Sequence, residues 1–111
     1  YNIALEDGAL NNERENDKID RKRVWWVEAE SVVGFINAYQ HGGDKKFLDA
    51  AKGVWEYIKS DIIDKREGSE WYSEVSFEHK PHDWKEIVGP WKCPYHNGRM
   101  CMEVISRGVD L

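Results

Sequence analysis

RVWWVEAESVVGFINAYQHGG, residues 23–43, places apolar side chains at Trp25, Trp26, Ala29, Val32, Val33, Ile36 and Tyr39. That spacing predicts a helix from Arg23 to about Gln40, stopped by Gly42-Gly43. Adjacent tryptophans at its start point about 100° apart on a helix, so a one-sided core cannot take both rings. One of them faces something other than the core.

Downstream, Asp44 is placed to cap a second helix, from about Lys45 to Asp64, with Phe47, Leu48, Ala51, Val54, Trp55, Ile58 and Ile62 as its buried stripe. Its other face is charged and carries no cluster of reactive groups, which suits a supporting element. SEWYSEVSF, residues 69–77, favours extended structure, and a short hairpin is expected there. An irregular aromatic stretch follows, punctuated by Pro81, Gly89, Pro90 and Pro94, and a third helix is expected from Tyr95 or His96 to about Gly108. Upstream, residues 1–22 show little periodicity beyond a turn signal at Asp7-Gly8 and read as a hairpin or a long, solvated loop. Three main helices with a short β-hairpin make an all-α chain.

Composition narrows the function. A chain of 111 residues with 41% hydrophobic and 33% charged residues can hold one modest core inside a well-solvated surface. The net charge of −5, with no Lys/Arg-rich face, argues against nucleic acid as a partner. No apolar run is long enough for a membrane span and no leader pattern is present, so the expected location is the cytoplasm, with no membrane partner. There, Cys93 and Cys101 are expected as reduced thiols. The chain opens on Tyr1 rather than Met, which suggests a truncated sequence. Six tryptophans either fill a core or offer flat faces for stacking on sugar rings.

His96 is the first candidate for chemistry. It lies at the expected start of the third helix, and Arg99 and Glu103 follow at i+3 and i+7 on the same face. An imidazole takes and returns protons near neutral pH, which suits acid/base catalysis, although a hydrogen-bonded packing histidine has the same spacing. Trp26 and Glu30, at i and i+4, would set an aromatic face beside a carboxylate, as a sugar site needs. On spacing alone, a core Trp beside a surface Glu is the favoured reading. Cys93, His96 and Cys101, with His79 and His82 upstream, raise the question of zinc, but Cys-x2-His-x4-Cys lacks paired knuckles, and Cys101 reads as a small core residue. Nucleophilic use of Cys93 by way of His96 is limited by the intervening Pro94.

GPWKCPYHNGRMCMEV, residues 89–104, together with RVWWVEAESVVGFINAY and EWYSEV, resembles the cellobiose 2-epimerases of the N-acylglucosamine 2-epimerase superfamily, from about Asp7 to Arg107. The resemblance implies that residues 1–111 are the C-terminal part of a single (α/α)6-barrel domain, a partial barrel whose inner helices are the first and third. It implies His96 as one of two acid/base residues, Trp26 and Trp91 as sugar-stacking residues, and Glu30 and Arg99 in the substrate site. Glu28 departs from the pattern, standing where many members have Gln in WWVQAE.

The implied reaction is inversion at C2 of a reducing-end sugar of a disaccharide: ring opening, proton removal beside the carbonyl, and proton return to the opposite face of an enediolate. Two bases suffice for this, and neither a metal nor a redox cofactor is required. The second histidine belongs to the earlier part of the family's barrel, so the chain by itself is expected to be inactive. Its inner helix faces are expected to pair with other copies or with the rest of the barrel. Epimerisation of mannobiose or N-acylglucosamine, and noncatalytic carbohydrate binding, remain as alternatives.

Overall fold

Two tight hairpins open the chain in the computed structural model, which describes residues 1–111. Strands β1 (Leu5–Glu6) and β2 (Ala9–Leu10) pair antiparallel around Asp7-Gly8. Both turn residues have positive φ, 52° and 77°, as a two-residue hairpin turn demands. Strands β3 (Glu13–Glu15) and β4 (Lys18–Asp20) pair around Asn16, itself at φ 54°. The segment is thus a pair of hairpins. It differs from a solvated loop in one further respect, because Ala9 and Asn11 are buried.

Helix α1 spans Trp25–Gly42 and ends at Gly43, whose left-handed backbone lets its N–H donate to Tyr39 O at 2.7 Å. Helix α2 spans Lys45–Tyr57, with the Asp44 carboxylate accepting the Lys46 N–H at 3.0 Å as the capping pattern required. Its last turn, Ile58–Ile62, is π-helical and closes with Ile63 N–H donating to Ile58 O. The helical stretch thus stops two residues short of Asp64. Residues 62–64 leave it to bond with 70–72 instead.

The segment 69–77 is extended, but its short strand does not pair within the segment. Strand β6 (Glu74–Val75) pairs with β5 (Arg23–Val24), the residues that lead into α1. Trp25 N–H donates to Ser73 O and carries the pairing into the first turn of the helix. The expected local hairpin gives way to this distant partner, since strand pairing across about fifty residues leaves no local trace in sequence. Helix α3 spans Tyr95–Ser106 directly after Pro94.

Helix α1 is the centre of the arrangement and packs against both α2 and α3. Ala29, Val32, Val33 and Ile36 of α1 meet Ala51, Val54 and Ile58 of the second helical stretch in one apolar cluster. Of the apolar residues Met100, Cys101, Val104 and Ile105 on α3, only Met100 is buried. Cys101 is exposed, contrary to its reading as a core residue, and Ile105 is 79% exposed. The reason is that α3 packs chiefly against α1, which leaves much of its remaining surface open. No helix is long and apolar enough to cross a membrane.

Candidate acid/base and sugar site

The first two turns of α1 and the first two turns of α3 meet around one carboxylate. Glu30 Oε1 lies 2.9 Å from His96 Nδ1, and Arg99 Nη1 donates to Glu30 Oε2 at 2.6 Å. All three side chains are about one-third exposed, so they are steered by the protein yet reachable from solvent. A carboxylate only accepts, so this contact places the imidazole proton on Nδ1 and leaves Nε2 as the basic nitrogen. The Trp26 ring, 43% exposed, lies 5.7 Å from the His96 ring, and Tyr95 meets it edge-on at 5.0 Å. Trp26 is therefore the ring that looks away from the core, while Trp25 packs against it.

Four of the five candidate residues, Trp26, Glu30, His96 and Arg99, form one cluster. Trp91 is not among their contacts. It is 90% exposed and lines a neighbouring cleft of about 410 Å³ with Trp25, Trp84, Lys85, Glu86 and Lys92. Trp25, which lines the cleft, and Trp26, which meets His96, are adjacent residues at the start of α1.

Glu103, third on the sequence stripe after His96 and Arg99, serves elsewhere. It accepts Arg107 Nε at 3.0 Å, and Arg107 Nη1 also donates to Asn37 and Gln40 of α1. The stripe is a site at its start and a helix-to-helix tie at its end. Both thiols are free, and Cys101 lies on the exposed side of α3. His79 and His82 are held by Asp61 and Glu74 respectively.

Two supports of the site had no sequence signature. Lys92, 3% exposed, donates to Glu70 and to Ile87 O, and its ammonium sits 5.4 Å from the Trp25 ring centroid. Glu70 also accepts the side-chain N–H of buried Asn97. The network joins the neighbour of Trp91 to the neighbour of His96 through a residue more than twenty positions upstream. A lysine inside an aromatic, proline-rich loop was its one visible hint.

The second support is Glu28, fully buried on the side of α1 away from Trp26 and Glu30. Its carboxylate oxygens accept the Leu10 N–H at 3.2 and 3.1 Å. Burial pushes its pKa up to about 7, against the pull of the Leu10 bond and the Arg23 charge. Buried Arg23 in turn donates to Asn11 and to Glu6 O, so one polar network fastens the first hairpin beneath α1.

The profile of the N-acylglucosamine 2-epimerase (GlcNAc 2-epimerase) family matches residues 3–97. A cellobiose 2-epimerase of Ruminococcus albus is 78% identical over 109 residues, which are 98% of this chain and 28% of that protein. The crystal structure of a sugar epimerase from a ruminal bacterium superposes with a TM-score of 0.95 at 78% identity, over 98% of this chain and 28% of that one. Cellobiose 2-epimerase from Bacillus thermoamylovorans superposes with a TM-score of 0.89 at 54% identity, over 94% of this chain and 26% of that one. The chain thus spans between a quarter and a third of the length of these relatives.

Proposed function

Because the chain belongs to the N-acylglucosamine 2-epimerase family, we propose that it supplies one wall of a sugar 2-epimerase site, as part of an (α/α)6 barrel with α1 and α3 on the inside and α2 outside. The observation that carries this reading is Glu30 holding both His96 and Arg99 beside the open ring of Trp26.

The relatives named cellobiose 2-epimerase point to cellobiose, converted to and from 4-O-β-D-glucopyranosyl-D-mannose. Trp26 and Trp91 stack on the sugar rings, and Glu30 and Arg99 orient the opened reducing-end unit. His96 Nε2 removes the C2 proton beside the C1 aldehyde, or returns it, on one face of the enediolate. The guanidinium of Arg99 has five N–H donors, of which the Glu30 contact uses one, and the others stabilise the developing oxyanion. A second base, outside these residues, serves the opposite face.

The test is a chimera in which this chain replaces the matching segment of the Ruminococcus albus enzyme. The expected result is conversion of cellobiose, with C2 hydrogen exchange in deuterated water, abolished by His96→Ala. Full activity of the His96→Ala chimera would sink the catalytic role. The isolated chain is expected to be inactive, and robust epimerisation by it would remove the need for a second base from elsewhere. Equal turnover of mannobiose or N-acylglucosamine would move the substrate within the same chemistry.

A further inference from the structure

Trp84 is 75% exposed, yet its indole is braced. His82 stacks against it with centroids 5.6 Å apart and planes 26° from parallel, and the Lys85 ammonium lies 5.4 Å from its centroid. His82 Nδ1 and Lys85 Nζ both sit on the same oxygen, Oε1 of Glu74, at 2.7 and 2.9 Å. His82 and Lys85 are thereby tied together beside the indole, and three-quarters of Trp84 stays exposed.

The anchor is firm. Glu74 is buried in β6, which is paired to β5 at the entrance to α1. A large apolar side chain held rigid and left open costs surface free energy, and an isolated fold gains nothing from it. Trp84 and Trp91, the two most exposed tryptophans of the chain, line the same cleft, with Lys85, Glu86 and Lys92 as its polar groups. Its volume of about 410 Å³ falls in the range of small-molecule sites, roughly 300–1,000 Å³.

We infer that Trp84 is a second stacking platform, and that with Trp91 it forms an outer subsite for a further unit of a β-linked glucose chain, beyond the two units placed at Trp26 and Trp91. The inference rests on the epimerase-site reading above. Its ligand class follows from shape and polarity. In a β-1,4-linked glucose chain every ring carries its hydroxyls at the equator and only C–H bonds on its two faces, which suits flat indole faces, while Lys85 and Glu86 can reach the rim. The cleft neighbours the acid/base cluster, since Trp25 lines the one and the adjacent Trp26 meets His96 in the other.

The test uses the His96→Ala chimera with the Ruminococcus albus enzyme, labelled with ¹⁵N at tryptophan and titrated with cellobiose and with cellotetraose while the indole N–H signals of Trp26, Trp84 and Trp91 are followed. Both sugars are expected to move Trp26 and Trp91. Cellotetraose alone is expected to move Trp84 and to bind about three- to tenfold more tightly. Trp84→Ala should remove that gain and leave the Kd of cellobiose unchanged, while Trp84→Tyr should keep part of it. A static Trp84 signal, or a length gain that survives Trp84→Ala, overturns the outer subsite and leaves the epimerase site standing. If neither sugar moves Trp26 or Trp91, both readings fall.

Discussion

Glu30 and His96, 66 residues apart in the chain, meet at 2.9 Å, and the same carboxylate takes Arg99 on its other oxygen. One residue of α1 therefore sets the tautomer of His96 and the position of the Arg99 guanidinium. Glu30→Gln replaces one acceptor by an N–H₂ group and cannot satisfy both partners. In the chimera its kcat is expected to fall about 10²- to 10⁴-fold, comparable to His96→Ala, since acid/base contributions are of that size. The double variant should be no worse than His96→Ala alone, because groups that act as a unit do not add. Fully additive losses would separate Glu30 from the base.

Glu28 gives the fold a pH dependence of known sign. Its folded pKa, about 7, lies above the ordinary value of 4.5 because burial disfavours the charge. Its contribution to stability is therefore complete below pH 4.5 and is lost as the pH rises through 7. The loss amounts to roughly 1–3 kcal/mol, since each tenfold change in proton affinity is worth about 1.4 kcal/mol and relaxation around the charge reduces the total. Glu28→Gln removes the titrating group and keeps an acceptor for Leu10 N–H. Denaturant midpoints should show the variant more stable than the parent at pH 8 and of similar stability at pH 5. An unchanged difference between the two pH values would show that Glu28 does not titrate there.

Glu103 separates site from scaffold on α3. Its bond to Arg107, and the reach of Arg107 to Asn37 and Gln40, tie the far ends of α3 and α1 together. Glu103→Ala is expected to leave kcat of the chimera within about twofold and to cost up to about 1 kcal/mol of stability, the scale of partly exposed ion pairs. A kcat loss on the scale of Glu30→Gln would return Glu103 to the site.

Local physics made the helices legible. The periodicity around Trp25 to Tyr39, the Asp44 cap and the Gly43 stop each act within a few residues, and each appears where the sequence puts it. The pairing of Trp26 with Glu30 was equally local. What the sequence hid was everything that depends on a distant partner: β5 with β6, Leu10 with Glu28, and Glu70 with Lys92 and Asn97. The stripe on α3 misled for the same reason. Residues three and seven positions from His96 share its face, but what that face meets changes along α1 from Glu30 to Asn37 and Gln40.

Lys92 offers the most direct test of how the site is held. Its ammonium is buried against Trp25 and bonded to Glu70, while Asn97 shares that carboxylate, so Trp91 and His96 are each one residue from the same ionic knot. Lys92→Met keeps the apolar stem and removes the charge, which strands Glu70 between Asn97 and the loop. Breaking one side of a buried pair costs roughly 3–5 kcal/mol, and the lower end is expected because Glu70 keeps some solvent contact. Lys92→Met with Glu70→Gln removes both charges and leaves an acceptor for Asn97, so stability should recover by at least about half of that loss. If the knot also positions the site, the double variant chimera will still show lowered kcat after stability has recovered, since Trp91 and His96 will have lost their common anchor. Recovery of stability and kcat together would limit the knot to folding.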